Sequence, residues 1–178
     1  MPEKPTIYTI GHSNRNFEEF LRILKRFGIQ VLIDVRRFPG SKFEHFRKEF
    51  LEKILPENGI EYIWVEELGG YRKRILERSP NTAIENEGFR NYADHMLTDE
   101  FRKGAERLAD MAREKRLCIM CAEKLYWRCH RILLSDYISA ILGLEVVHIM
   151  DVQNVRRHRM SRNVRVTDEG LVYDVMKI

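Results

Sequence analysis

Short runs of β-branched and aliphatic residues alternate with longer stretches of helical periodicity along nearly the whole chain. No other feature restricts the fold as much, because strands that run parallel need a crossover between them and a helix is the usual one. The first run, Thr6 to Ile10, closes at Gly11. Asn16 with Glu19 three residues on then makes a capping box, and Phe17, Phe20, Leu21, Leu24 and Phe27 follow at helical spacing until Gly28. A second strand, Val31 to Val35, leads into Pro39 and Gly40, where Ser41 and Glu44 repeat the capping-box pattern. The helix they start carries Phe43, Phe46, Phe50 and Ile54 and ends before Pro56.

The third strand, Glu61 to Val65, is followed by ELGGYRKRILERSPN, which breaks the periodicity and reads as a long irregular insertion. Two helical stretches come next, one with Phe89, Tyr92, Ala93 and Met96 on a face, the other starting at Thr98 and carrying Phe101, Ala105, Leu108 and Ala112. Leu117 to Cys121 is a buried strand, Ile132 to Ile141 a helix stopped by Gly143, and Glu145 to Ile149 a fifth strand. Val164 to Val166 and Leu171 to Val175 flank an Asp168-Glu169-Gly170 turn and predict a hairpin. The pattern predicts an α/β chain: a single Rossmann-like domain over 1–178, a mainly parallel sheet of about five strands, helices on both faces and a C-terminal hairpin.

Length and composition agree. A chain of 178 residues fits one domain, and 44% hydrophobic with 33% charged residues excludes a disordered or fibrous chain. No apolar run reaches the roughly 18 residues of a membrane span. The start, MPEKPTIYTI, lacks the basic and long apolar regions of a secretory signal, so a soluble cytoplasmic protein with no membrane partner is expected. Three cysteines in a reducing compartment predict thiols. High charge with only Gln30 and Gln153 as glutamines leans toward a protein from a hot environment.

In an open parallel sheet the ligand crevice lies beyond the carboxyl ends of the strands, and here those positions are rich in functional groups. They carry His12 and Ser13, then Asp34, Arg36 and Ser41, then Gly69, Gly70 and Arg72, then Glu123, Cys129, His130 and Arg131, and finally His148. A carboxyl at the edge of a buried strand is raised toward general acid-base range by desolvation, which nominates Glu123. With Asp34 it would form a two-carboxylate arrangement of the kind that hydrolyses glycosyl bonds. His12 and His130 would orient the substrate or transfer protons, and Arg36 and Arg131 would hold a phosphate near a helix start.

Cys118 and Cys121 have the spacing of a zinc half-site, but on a strand residues three apart point to opposite faces. A Cys121, Cys129, His130 and Glu123 metal site remains as an alternative; no cofactor is expected. The net charge of +4 is unevenly spread: positions 154–165 hold five arginines and no acid. Arginine forks suit phosphates, so Arg156, Arg157, Arg159 and Arg162 are nominated for nucleic-acid binding. YRKR at 71–74, near Trp64, adds a basic cluster with aromatics for stacking.

TIGHSNR, IDVRRFPGS, GIEYIWVEELGG, FRNYADHM and CIMCAEKLYWRCHR followed by VVHI together resemble the family called domain of unknown function 488, over roughly positions 6–150. The resemblance implies a Rossmann-like domain of the prokaryotic cytoplasm. It carries over His12, Ser13, Asp34, Arg36, Pro39, Ser41, Leu68, Gly69, Gly70, Tyr92, Cys121, Glu123, Cys129, His130 and Arg131 as signature positions, with no activity attached. KLYWR stands where the family usually has a short proline-containing turn, and the basic segment 151–178 lies outside the shared core. The expected function is an enzyme on a nucleotide or nucleic-acid substrate, hydrolysing an N-glycosidic or phosphate-linked bond. The alternatives are a non-catalytic module for single-stranded or damaged nucleic acid and the metal-dependent hydrolase.

Overall fold

The computed structural model describes residues 4–176. Five strands lie parallel: β1 (Thr6–Gly11), β2 (Val31–Asp34), β3 (Glu61–Trp64), β4 (Leu117–Cys121) and β5 (Glu145–Ile149). A sixth, β6 (Val155–Arg157), adds antiparallel to β5, giving the order β3-β2-β4-β1-β5-β6. β7 (Arg165–Thr167) and β8 (Gly170–Val172) form the C-terminal hairpin as a separate two-stranded sheet. The α/β class, mainly parallel sheet and hairpin are as the sequence predicts; β6 is the addition.

Helices α1 (Phe17–Arg26) and α2 (Lys48–Glu57) cover one face, where Phe20, Ile23, Leu24, Leu51 and Leu55 pack on Ile10, Leu32, Cys118 and Met120. Helices α3 (Glu87–His95), α4 (Asp99–Glu114) and α5 (Arg131–Ala140) cover the other, against Ile7, Val31, Ile33, Ile119 and Cys121. Cys118 and Cys121 therefore belong to opposite cores, as strand alternation requires. β2 and β4, central in the sheet, are buried at every position. Chain reversal from β3 back to β4 puts the first two crossovers and the last two on opposite faces. The ends of β1, β2 and β4 then border a crevice at the switch point.

α1 starts as predicted, with the Asn16 side chain accepting from the Glu19 N–H at 2.8 Å and Glu18 and Glu19 in its first turn. The second helix departs from expectation. Phe43 and Phe46 lie in a separate 3₁₀ turn at Glu44–Phe46, and the Ser41 hydroxyl accepts from Phe43 N–H in a local turn instead of capping. Pro56 does not stop α2, because it sits in the last turn, where the Asn58 side chain bonds the Ile54 carbonyl. Among the described residues no helix is long and apolar enough to cross a membrane.

Candidate functional site

A cavity of about 430 Å³ opens at the ends of β2 and β4. Arg36, Arg37 and Phe38 line it from the β2 side, Gly70 and Tyr71 from the loop after β3, and Cys121 and Glu123 from the end of β4. Asn86, which caps α3, closes another wall with Phe89 and Tyr92 of that helix, and Arg128, Cys129 and His130 lead into α5. The first turn of α3 and His130, the residue before α5, border the cavity, so the positive ends of both helices lie near it.

Its most reactive group is Cys129. The Cys129 sulfur accepts from the Arg131 backbone N–H at 3.4 Å and from Arg131 Nε at 3.3 Å, and Cys121 Sγ lies 3.3 Å away. Burial disfavours the thiolate, but the Cys121 hydrogen bond and the Arg131 guanidinium outweigh it and bring the Cys129 pKa down to about 6. Burial pushes the Cys121 thiol well up, so of the two Cys121 is the protonated partner. Cys129, the one of the pair favoured as thiolate, is half-buried at the cavity wall.

Arg131 was expected to hold substrate. It is instead a buried strut, 1% exposed, whose guanidinium donates to Cys129 Sγ, to Thr9 Oγ1 at 3.1 Å and to the Glu123 and Lys124 carbonyls at 2.6 and 3.3 Å. Behind it the bonds continue from Thr9 to His148, His158 and Asp136, at 2.6, 2.9 and 2.8 Å. This chain of bonds holds the guanidinium in place from below. Gly11 lets the 123–124 backbone approach β1, since a Cβ there would stand 1.8 Å from the Glu123 carbonyl oxygen.

Asp34 also differs from its expected role. It is fully buried, accepting from Arg36 N–H and Nε at 3.1 and 2.9 Å, from Arg36 Nη2 at 2.7 Å, and from the Tyr62 hydroxyl. All its acceptor capacity is engaged, and it does not line the cavity. Glu123 does line it but is exposed, its carboxylate accepting from Leu125 N–H. The two carboxylates thus face different surroundings and make no acid-base couple.

His12 is buried, stacked on Phe46 with its Nδ1–H on the Ser13 carbonyl, and its Nε2 accepts from Arg36 Nη1 at 3.4 Å. Burial lowers its pKa to about 4, so it supports Arg36 as a neutral ring. His130 lines the cavity, donates from Nε2 to the Val35 carbonyl at 2.9 Å, and is likewise lowered to about 4 by burial. Gly70 is needed beside it, because a Cβ there would lie 2.7 Å from His130 Nδ1. Tyr92 donates its hydroxyl to the Leu68 carbonyl. Arg72 turns back onto the Gly69 and Glu66 carbonyls and braces the loop, while Gly69 lets that loop reach the Arg37 backbone. Ser13 and Ser41 stand outside the cavity lining, Ser13 with φ of 50° and its N–H on the Ala122 carbonyl.

Of the nominated residues, Arg36, Gly70, Tyr92, Glu123, Cys129 and His130 come together around the cavity. His12, Asp34, Gly69, Arg72 and Arg131 brace them from behind. Phe38, Asn86, Phe89 and Arg128 join the lining although the sequence reading names none of them as a site residue, and Arg37 and Cys121 join it beside the nominated ones. Among the described residues no three His, Cys, Asp or Glu side chains gather in a metal-binding arrangement. Here His130 Nε2 is spent on a carbonyl and Cys129 faces a cation.

The four nominated arginines after β5 are all exposed. Arg156 lies over the Trp127 ring at 5.6 Å, and Arg157 pairs with Glu145 at 3.0 Å. Tyr126 stacks on His148 with ring centroids 3.6 Å apart, which seats the Tyr126–Arg128 turn against β5. Arg128 at the cavity and Trp127 beneath Arg156 are neighbours on that turn.

Comparison with curated proteins and with solved structures finds no match. A family match begins after His12 and Ser13 and ends before β5, but contains the whole of Arg36, Cys121, Glu123 and Cys129 to Arg131. Residues 16–138 match the family described as Domain of unknown function DUF488, and the chain belongs to that family.

Proposed function

We propose that the protein is an enzyme that cleaves a phosphate-linked bond in a nucleotide or nucleic-acid substrate, with Cys129 as nucleophile. One observation carries this reading: the Cys129 sulfur is held by the Arg131 amide and guanidinium at the wall of a cavity at the start of α3 and just before α5. Attack of Cys129 sulfur on phosphorus forms the S–P bond and breaks the ester P–O bond. The electron pair leaves with the ester oxygen, which takes a proton from water. A second water then attacks phosphorus, Glu123 carboxylate accepts its proton, and the S–P bond breaks to return the thiolate.

Arg128 makes no ion pair among the described residues and is free to meet phosphate oxygens, whereas Arg36 is largely neutralised by Asp34. Arg156 stacked on Trp127, next in the chain to Arg128, offers a cation and an aromatic ring outside the cavity, which favours a polymer over a free nucleotide. Phosphate release from mononucleotides and from 5′- or 3′-phosphorylated oligonucleotides is the test. Cys129→Ser should lower turnover on the order of 10³-fold while the protein stays folded. Unchanged turnover in that variant would remove Cys129 from the chemistry. If wild type binds oligonucleotides but turns over none of these substrates, a non-catalytic binding module is the better reading.

A further inference from the structure

We infer that Cys121 and Cys129 form a reversible disulfide when the cavity admits a small hydroperoxide, and that this bond switches the site off. The inference rests on the reading of Cys129 as a reactive thiolate and names how that thiolate is regulated. The two sulfurs already touch at 3.3 Å, against about 2.05 Å in the bond, so closure is a short movement. They come from elements of different stiffness: Cys121 ends a buried strand, while Cys129 follows the partly exposed Tyr126–Arg128 turn. Cys129 itself, in the bend between that turn and α5, is the sulfur placed to move. Cys118 lies in the core on the opposite face of the sheet, so it does not compete for either partner.

The chemistry closes on the groups present plus the peroxide. Cys129 thiolate attacks one peroxide oxygen, the O–O bond breaks, and the released alkoxide or hydroxide takes a proton to leave as alcohol or water. Cys129 is now a sulfenic acid. Cys121 sulfur, losing its proton, attacks the Cys129 sulfur, the S–S bond forms, the S–O bond breaks and water leaves. The two cysteines have given up two electrons and the peroxide has taken them.

Arg131 explains why the product should be readily reduced again. Among the described residues the guanidinium's hydrogen bonds run to Cys129, Thr9 and two carbonyls, none of them a carboxylate. The thiolate is its anionic partner, and oxidation removes that charge while leaving the guanidinium buried. A disulfide whose reduced form is stabilised in this way is an oxidising, labile one.

Stoichiometric hydrogen peroxide on the full chain, read by intact mass and by mapping of cysteine peptides, tests the inference. The expected result is loss of two hydrogens, a cross-link between the Cys121 and Cys129 peptides, and its removal by a dithiol reductant. In Cys121→Ser, a dimedone adduct should accumulate at Cys129 instead. Stable sulfenic or sulfinic acid at Cys129 of the wild type with Cys121 still free, or a cross-link through Cys118, would overturn it. The cross-link needs no substrate, so a Cys129→Ser enzyme with full turnover would refute the nucleophile while leaving the disulfide standing. If iodoacetamide fails to label Cys129 preferentially at neutral pH, the reactive thiolate and the disulfide fall together.

Discussion

Two corners of the crevice are built alike: in each, an arginine grips an anionic side chain two residues before it. At the end of β2, Arg36 holds Asp34; at the start of α5, Arg131 holds Cys129. The outcomes differ because of where the anion ends up. Asp34 is fully buried and its oxygens are saturated by Arg36 and Tyr62. Cys129 is half-buried, borders the cavity and touches a second thiol. The same local device makes a structural ion pair where the anion is enclosed and a reactive centre where the arginine is enclosed instead. Among buried charges, access separates chemistry from architecture.

The largest effect that would break this comparison is on stability. Asp34→Asn leaves Arg36 buried without its counter-charge and should cost about 3–5 kcal/mol, read as a lowered denaturation midpoint. Cys129→Ser should cost less at pH 7, because ionising near 6 instead of 9.0 gives that thiol only about 1.4 kcal/mol of stabilisation there. If the two variants were destabilised equally, the contrast between them would fail.

Next comes pH. The folded Cys129 pKa, about 6, lies below its ordinary 9.0, so the thiolate's contribution to stability is complete above pH 9 and is lost as pH falls through 6. Labelling of Cys129 by iodoacetamide should rise with a midpoint near pH 6, whereas an unperturbed thiol would react only at higher pH. The buried histidines work in the same sense. His12 and His130 are held near 4 against 6.5, so the unfolded chain binds more protons between those values and stability falls as pH drops from 6.5 to 4. Replacing His12 by Asn should flatten that slope by up to about 1.4 kcal/mol per pH unit, measured by denaturant titration across the range.

The smallest effect concerns the basic surface. Alanine at Arg156, Arg157, Arg159 and Arg162 should weaken oligonucleotide binding alike for all sequences, lowering the salt slope by about 1 for each phosphate no longer neutralised. Arg156 should matter most, being seated on Trp127, and Arg157 least, being paired with Glu145. A salt slope unchanged by the fourfold variant would detach this surface from nucleic acid.

Regions of the molecule also differ in how far their residues could be read before folding. The βα alternation, the α1 cap at Asn16 and the split of Cys118 and Cys121 between faces are local consequences of periodicity. β6 escaped notice because Val155–Arg157 has one apolar residue and no alternation. It becomes a strand only because β5 offers an unpaired edge. Asn86 and Phe89 are illegible for another reason: they come from the start of α3 and not from a strand end.

The amino-acid sequence by itself determined the α/β order, the rim on which polar groups collect and the family to which residues 16–138 belong. Which polar group would be chemical was decided only in three dimensions. Pairing, burial and exposure depend on distant segments meeting: Tyr62 on Asp34, Thr9 under Arg131, Cys121 against Cys129. Those meetings set the electrostatics that enclose one anion and leave the other open.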